Sequence, residues 1–463
     1  MLSKIKKFLK RYYPISNRWF YCETSSLKDS AMELKKRSGG IRSAVDRIGG
    51  SVAELCKKLD EVLKRIKSLN SSAPSDDRIG YIVSLLEKNA KARAIDALEL
   101  YFIEVNFKRE FSFGAWPTRL HCCVRVKCGE HSGWGEIRLA NADIPNDEVV
   151  KKVVKDMDPW RGASLDLARY LVVSRRGKTP DRILEALDMA LLDVAARIEG
   201  KSVLEYLALP SDYAVPSLHC ILQKDIEKAK SLAAQFAKTH LKVKLFGDNV
   251  HDYNLIKAIR SVIPADCFLV GDVNMGYGNA KSGVEYSSDI VKALRNLKDA
   301  GLDACEDPAN LSWSDLARLQ QELPALAIIP DEPMRPSYKV LKTVTPVAGH
   351  IYNLHPNCMG SVTAVVELAK KIKSAGAQVM LGDDSLIGPA CNAWQQIAIG
   401  IKAAWCESLE KPEESSEFID CIKSSPIEVL ADGRHKLKMS VPGFGVDVEV
   451  EKLRRNCVAF VEL

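Results

Sequence analysis

Short apolar runs that alternate with helical stretches constrain the fold of this chain more than any other feature. From residue 213 onward the runs are, in order, VPSLHCI, LKVKLF, CFLVG, LDACE, LAIIP, HIYNL, QVMLG and a last one near AWCESL. Strands that alternate with helices form parallel βα units. Eight such units in about 200 residues have the size of a barrel. We therefore predict an α/β barrel in this part of the chain.

The region before the barrel has the pattern of an α+β unit. The stretches ALELYFIEVNF, RLHCCVRVKC and GWGEIRL predict three strands of a small antiparallel sheet, and RILEALDMALLDVAARIEG predicts a helix that stops at Gly200. The segment DGRHKLKMSVPGFGVDVEVEKL, which follows the barrel, is hairpin-like and is expected to return to that sheet. We place the domain boundaries at 96–208, 209–415 and 416–463.

Residues 1–95 form a separate basic extension. They contain 21 Lys and Arg against 10 Asp and Glu, a surplus of 11, so the rest of a chain whose net charge is +6 carries −5. The stretch VAELCKKLDEVLKRIKSL predicts an amphipathic helix, and the turn-rich NSSAPSDD after it predicts a linker. The main alternatives are an appendage packed on the main body, a self-association element, and a segment that contacts acidic surfaces. The positive charge is confined to this extension and so gives no information about the partner of the main body. We expect no nucleic-acid partner.

Composition is that of an ordinary globular protein, with 46% hydrophobic and 27% charged residues. No apolar stretch approaches the roughly 18 residues that a membrane span requires, and the basic start lacks the apolar core of a secretory signal. The thirteen cysteines include no CxxC pair, which argues against a zinc ribbon. A reducing, cytoplasmic location is therefore expected.

Charged residues occur where the predicted barrel strands end. Lys242 and Lys244 are two residues apart and share a face of the second strand. The third, fourth and fifth strands end in Asp272, Glu306 and Asp331, at intervals of 28, 34 and 25 residues counted from Lys244. Each interval is one βα repeat, so the three carboxylates should converge at the barrel mouth, where barrel enzymes carry their chemistry. Any one of them could be a helix N-cap, but three converging carboxylates repel one another unless a cation is present, and an all-oxygen set favours Mg²⁺.

These motifs resemble those of the enolase superfamily, in its mandelate racemase and muconate-lactonizing enzyme branch. The resemblance rests on KVK at 242–244, DVN at 272–274, EDP at 306–308 and DE at 331–332, with GWGE at 133–136 and the closing VPGFGVDVEVEKL as support. It covers roughly 97–463 and excludes residues 1–95. The resemblance implies a modified TIM barrel, (β/α)7β, with an α+β capping domain, to which this chain adds an N-terminal helical extension.

The resemblance also implies roles for the strand-end residues. Lys244 would be an acid/base, and Lys242 would lower the pKa of Lys244 and contact the substrate carboxylate. Asn274 would contact the substrate. Mg²⁺, with Mn²⁺ as a possible substitute, would be held by three carboxylates: Asp272, Glu306 and Asp331. In this family a proton α to a carboxylate is removed to form an ene-diolate, whose charge a divalent ion stabilises.

Two positions depart from the family pattern. Muconate-lactonizing relatives have a lysine five residues before a Gly-Gly pair after the sixth strand. Here Gly360 is followed by Ser361, and His355 occupies the lysine position. His355 could be a second acid/base or substrate contact, or a hydrogen-bonded structural residue. After the seventh strand, Asp384 could contact the substrate, orient His355 or cap a helix.

The substrate is expected to be a small-molecule carboxylate. The stretch FKREFSFGAWPTR of the predicted capping domain offers Phe111, Phe113 and Trp116 as an apolar lid, and we take Phe113 and Trp116 as candidate substrate contacts. We favour a racemase or epimerase of an amino-acid or dipeptide-like carboxylate, in a homo-oligomer. The alternatives are a one-base dehydratase, a cycloisomerase or an o-succinylbenzoate-synthase-like enzyme, and, from another class, a non-catalytic metal-binding scaffold.

Overall fold

A computed structural model describes most of the chain from residue 94 onward. Residues 95–463 form one compact unit. The helix and linker predicted in the N-terminal extension, and Phe113, lie outside the described residues. The described ranges are 94–106, 109–111, 114–116, 118–141, 146–237, 240–277, 286–345, 348–407 and 421–463.

An antiparallel sheet opens the described chain. The first five strands of the described chain are β1 Ala97–Val105, β2 Arg109–Phe111, β3 Gly114–Trp116, β4 Arg119–Cys128 and β5 His131–Asn141, of which β1, β4 and β5 belong to this sheet. β4 pairs with β1 on one side and with β5 on the other. The last strand of the chain, Ala459–Glu462, pairs with the other edge of β1. β2 and β3 form a small separate hairpin.

The capping helices are α1 Asn146–Met157, α2 Leu165–Ser174, α3 Asp181–Ile198 and α4 Val203–Tyr206. A 3₁₀ turn, Asp158–Trp160, separates α1 from α2.

Helix α3 packs closely against β5 because β5 contains two glycines. A Cβ atom at Gly133 or Gly135 would lie 2.1 Å from the carbonyl oxygen of Ala190 or Ala186, respectively. No side chain fits at that separation, so the glycines of the GWGE motif permit the contact. The close packing places the acidic residues of α3 and the end of β5 beside the barrel.

Eight parallel strands form the barrel, in agreement with the prediction. They are β6 Val215–Ile221, β7 His240–Lys244, β8 Leu269–Asp272, β9 Ala304–Glu306, β10 Ala327–Ile329, β11 Ile351–Leu354, β12 Gln378–Leu381 and β13 Cys406–Glu407. The hydrogen-bonded order is β10, β9, β8, β7, β6, β13, β12, β11. β10 and β11 are the two ends of this order, and the backbone N–H of Asn353 in β11 donates to the carbonyl of Pro330, just after β10, at 3.0 Å. The barrel is therefore nearly closed.

Helices connect these strands on the outside of the barrel. Several of them begin where a side chain accepts a hydrogen bond from a first-turn amide, as Asp225, Asp248, Ser312 and Ser361 do. The helices are α5 Ile226–Phe236, α6 Asn249–Arg260, α7 Ser288–Asp299, α8 Trp313–Glu322, α9 Ser337–Thr343, α10 Val362–Ser374 and α11 Pro389–Gly400. A 3₁₀ turn, Glu332–Met334, follows β10.

The C-terminal segment contacts both the barrel and the capping sheet. It contains β14 Ile422–Ser424, β15 Ile427–Val429, β16 Arg434–Leu437, β17 Asp447–Val448, α12 Val450–Arg455 and β18 Ala459–Glu462. β16 pairs with the start of β6, and β18 completes the capping sheet. Among the helices of the described ranges, none is long and apolar enough to cross a membrane.

Candidate active site

Lys242 and Lys244 face a buried charged site rather than solvent. Both side chains are largely buried. The Nζ atom of Lys242 lies 3.0 Å from Glu306 Oε2 and 3.2 Å from Asp272 Oδ2. The Nζ atom of Lys244 lies 2.5 Å from Asp272 Oδ2 and donates to Asn274 Oδ1 at 3.1 Å. The shared strand face predicted from the sequence therefore points at carboxylates.

Three carboxylates lie at the ends of adjacent barrel strands. Asp272 ends β8 and is the register partner of Glu306, which ends β9. Asp331 follows β10 by two residues. The exposed fractions of these residues are 1%, 1% and 3%, so the charges are shielded from water. The three acids, whose spacing along the chain predicted that they converge, thus lie at the ends of neighbouring strands.

Cationic side chains lie against all three carboxylates. Beside the two lysines, Arg335 binds Asp331 through Nη2 and, at 3.2 Å, through Nε. Within the described part of the chain, no three carboxylate, imidazole or thiolate groups lie close enough together to form a metal-binding cluster. The donor chemistry nevertheless fits a hard divalent ion, because the three buried strand-end carboxylates offer the oxygen ligands that such an ion prefers. The buried Oδ1 of Asn353 also has no hydrogen-bond partner within the described ranges, although its Nδ2 donates to Glu306 Oε1 at 3.0 Å.

Burial and neighbouring charges shift the pKa values of these groups in opposite directions. Burial raises the pKa of Glu306 well above its usual range, and Asp272 raises it further. Burial would also raise the pKa of Asp272, but Lys244 and Lys242 outweigh it and lower that pKa. For Lys244, burial and Lys242 lower the pKa, yet the contact with Asp272 raises it above its ordinary value. The depressed Lys244 pKa expected from the sequence is thus absent from this arrangement.

His355 lies across the barrel mouth from Lys244. It follows β11, the sixth barrel strand, whereas Lys244 ends β7, the second; in an eight-stranded barrel these positions are opposite. Both residues line one cavity of about 330 Å³. The Nδ1 atom of His355 lies 2.9 Å from the carbonyl oxygen of Pro356, which can only accept a hydrogen bond. Nδ1 therefore carries a proton, and Nε2 is the nitrogen able to take up or release one.

Asp384 forms a buried ion pair with Arg138 of the capping domain. The Nη2 atom of Arg138 lies 2.8 Å from both carboxylate oxygens, and Asn357 Nδ2 donates to Oδ2 at 2.6 Å. Burial opposes ionisation, but Arg138 outweighs it and holds the pKa of Asp384 below its usual value. Asp384 also lines the cavity, yet its described hydrogen bonds go to Arg138 and Asn357 rather than to His355.

Besides Arg138, three charged residues of the site were missed in the sequence. Glu407 ends β13 and contacts Lys242. Asp307 accepts the backbone N–H groups of Asp331 and Glu332, each at 2.8 Å, and so fixes the chain after β10. Arg335 lines the cavity beside Asp331. Glu407 could have been found, because it ends the eighth apolar run as the other acids end theirs.

The predicted substrate contacts differ in what the structure describes. Asn274 lines the cavity and contacts Lys244. Trp116 ends β3, but its side chain, like all of Phe113, lies outside the described residues. The predicted aromatic lid therefore stays a prediction.

Non-glycine residues in the left-handed backbone region cluster at the barrel mouth. Such conformations cost about 1–3 kcal/mol each and persist only where surrounding contacts hold them. The strand-end examples, with their φ angles, are Asn274 (47°), Met275 (63°), Asp307 (41°), Asn357 (68°) and Ser385 (62°). Their concentration at this end of the barrel is typical of a functional site.

Comparisons with known proteins agree with this geometry. The family model described as Enolase C-terminal domain-like matches residues 224–453. The N-succinylamino acid racemase of Thermus thermophilus is 24% identical over 373 residues, which cover 77% of this chain and 95% of that protein. Muconate cycloisomerase 1 of Acinetobacter baylyi is 23% identical over 340 residues, with coverages of 70% and 88%.

A solved structure shares the fold. The dipeptide epimerase from Cytophaga hutchinsonii, complexed with Mg and the dipeptide D-Ala-L-Val, superposes with a TM-score of 0.65 at 17% identity, over 80% of this chain and 99% of that one. The strand-end motifs, the capped barrel and these similarities point to one group of proteins. The chain belongs to the enolase superfamily, in the branch that contains the muconate-lactonizing enzymes, and is an isomerase-type enzyme.

Proposed function

We propose that this protein is a Mg²⁺-dependent racemase or epimerase that removes and returns the proton α to the carboxylate of an amino-acid or dipeptide-like substrate. One observation carries the proposal. Lys244 and His355 line the same cavity from opposite sides of the barrel, and the strands that end in the three acids lie between them. A racemase needs this opposition, because the proton must return to the face opposite the one it left.

The side chains have distinct parts in this proposal. Lys244 exchanges a proton on one face of the α carbon, and Nε2 of His355 exchanges one on the other. Lys244 is cationic in the described arrangement; loss of the Asp272 contact would remove the largest effect that raises its pKa. The adjacent Lys242 ammonium would then favour the neutral, basic form of Lys244.

The metal would be held by three acids, Asp272, Glu306 and Asp331. Bound there, Mg²⁺ would supply Lewis-acid stabilisation of the negative charge that develops on the substrate carboxylate. Mn²⁺ is expected to substitute, since it accepts the same oxygen ligands.

The cavity supports a small polar substrate. Its volume of about 330 Å³ lies near the lower end of the usual range for small-molecule sites. Most of its lining residues are charged or polar, and Leu222 and Met275 add limited apolar surface. An amino-acid derivative suits such a site, and the names of the racemase and epimerase relatives support that class.

A one-base reaction such as cycloisomerisation is the second candidate. The Nδ1 contact of His355 with the next residue's carbonyl is one that a purely structural histidine can also make. The similarity to muconate cycloisomerase 1 supports this candidate independently.

The test is solvent exchange by the full-length protein. N-succinyl-L-amino acids, L,L-dipeptides and muconolactone are incubated in D₂O with Mg²⁺, and deuterium at the α carbon is scored by mass spectrometry together with chiral chromatography. Deuterium in both stereoisomers of an amino-acid derivative supports the racemase or epimerase. Conversion of muconolactone alone supports cycloisomerisation. No exchange from any compound would leave the scaffold alternative standing.

Two further proposals concern assembly and the N-terminal extension. We propose a homo-oligomer, to be tested by light scattering, and contact of residues 1–95 with acidic surfaces, to be tested by sedimentation with anionic vesicles.

A further inference from the structure

The segment that follows His355 is held by a buried acid of the capping domain. Glu185 lies on α3 and is only 2% exposed. Its Oε2 atom accepts the backbone N–H groups of Met359 at 2.7 Å and Gly360 at 3.2 Å, and its Oε1 atom accepts that of Asn357. One side chain thus holds three of the four residues from 357 to 360. Because a buried carboxylate is costly unless hydrogen-bonded, this interaction ties the loop firmly to α3.

A second set of contacts holds the same segment to β5. Asn357 Oδ1 accepts the backbone N–H of Arg138, and Asn357 Nδ2 donates to the Arg138 carbonyl, each at 3.0 Å. These bonds help to keep Asn357 at its positive φ of 68°, a conformation that non-glycine residues rarely adopt. The path of residues 356–360 is therefore imposed largely from outside the barrel.

We propose that Glu185 is a positioning residue for His355. By holding the N–H groups of residues 357, 359 and 360, it fixes the Pro356 carbonyl that accepts the Nδ1 proton of His355, and so keeps Nε2 as the proton-exchanging nitrogen. The part played by Nε2 rests on the proposed function; the control of the histidine tautomer by Glu185 does not.

Asp188 provides a matched control on the same helix. It is also buried, and it binds the start of α10 through Ser361 Oγ at 2.9 Å and the Thr363 amide at 3.3 Å. None of its described hydrogen bonds involves residues 356–360. Asp188→Asn should therefore weaken the contact between α3 and the start of α10 without changing the surroundings of His355.

The primary test is the tautomer of His355 in the full-length protein. Nitrogen NMR spectra of ¹⁵N-histidine-labelled protein distinguish a protonated ring nitrogen from a bare one, and the His355 signal is assigned by its loss in His355→Asn. We expect the Nδ1–H form in the wild type and in Asp188→Asn. In Glu185→Ala the Nε2–H form should rise to at least a comparable population.

Conservative replacement and exchange kinetics complete the test. Glu185→Gln keeps the side-chain size but places an NH₂ group, which cannot accept a hydrogen bond, against a backbone N–H. A partial tautomer shift is therefore expected. This variant also tests the inference if Glu185→Ala does not fold. In D₂O, the Glu185 variants should lose about 10²-fold in exchange at the His355 face, because small misplacements of catalytic groups have effects of that size. Exchange at the Lys244 face should change little, with kcat affected more than KM.

Two results would overturn the inference. An unchanged His355 tautomer in Glu185→Gln, with a loss of thermal stability equal to that of Asp188→Asn, would make Glu185 purely structural. A wild-type His355 in the Nε2–H form would also contradict it. If the tautomer shifts as expected but no substrate exchanges in the wild type, the positioning role stands and the proposed function fails.

Discussion

Replacement of Lys242 by methionine tests the charge balance of the site. The Lys242 ammonium lies 3.0 Å from Glu306 and 3.2 Å from Asp272, contacts Glu407, and no side chain of the group is more than 3% exposed. At an effective dielectric of about 20, each such pair attracts by about 5 kcal/mol, most of which desolvation offsets. Removing one partner of a buried ion pair leaves its acids uncompensated and costs about 3–5 kcal/mol. We expect a loss of this size in the free energy of unfolding measured with EDTA present.

Added Mg²⁺ should reduce that loss. A ligand that binds only the folded state at 100 times its Kd stabilises it by about 2.7 kcal/mol, and the variant should gain more than the wild type because one competing cation is gone. The assay is urea unfolding followed by circular dichroism, with EDTA or with Mg²⁺. Lys127→Met is the control: this lysine lies 3.2 Å from Glu99, but its side chain is 38% exposed, so its loss should cost less than about 1 kcal/mol. A loss of stability in Lys242→Met no larger than that in the control would show that Lys242 does not balance the charges of the buried acids. A smaller stabilisation by Mg²⁺ than in the wild type would show that Lys242 does not compete with the ion.

Three further predictions concern acid stability, metal dependence and the extension. Arg138 holds the pKa of Asp384 below its usual 3.8, so this carboxyl stabilises the fold above about pH 4 and the contribution is lost as the pH falls. The free energy of unfolding in urea should therefore change less between pH 4 and 2 in Asp384→Asn than in the wild type, and an equal change in both proteins would contradict this. Chelation should abolish activity and Mg²⁺ or Mn²⁺ restore it, zinc poorly, while Glu306→Gln weakens binding in calorimetry; full activity with EDTA would contradict this. Deletion of residues 1–94 should leave the compact unit of residues 95–463 folded by circular dichroism; an insoluble product would contradict this.

The barrel could be predicted from the sequence because each strand is marked by its own apolar run. The chain spacing between Asp272, Glu306 and Asp331 equals one βα repeat, and parallel topology turns that spacing into neighbouring positions. The alternation of strand side chains likewise predicted that Lys242 and Lys244 point the same way. In both cases the residues lie within one strand or in consecutive βα units, so the local sequence pattern determines their relative positions.

Contacts between distant parts of the chain could not be predicted in this way. Arg138 meets Asp384 across 246 residues, and Glu185 meets Met359 across 174. No periodicity relates such residues, because they are brought together only when the capping domain packs on the barrel. The direction of the Lys244 pKa shift could not be predicted for a similar reason, because it depends on the distance between Lys244 and Asp272 rather than on the KVK spacing.

In the proposed reaction, Lys244 and His355 act on opposite faces of the same carbon. The most direct measurement is α-proton exchange in D₂O from each stereoisomer of an active substrate separately, with His355→Asn and Lys244→Ala. We expect that His355→Asn exchanges the proton of only one stereoisomer, that Lys244→Ala exchanges only that of the other, and that neither variant interconverts them. Full interconversion by His355→Asn would contradict the two-base mechanism and leave a one-base reaction as the better explanation.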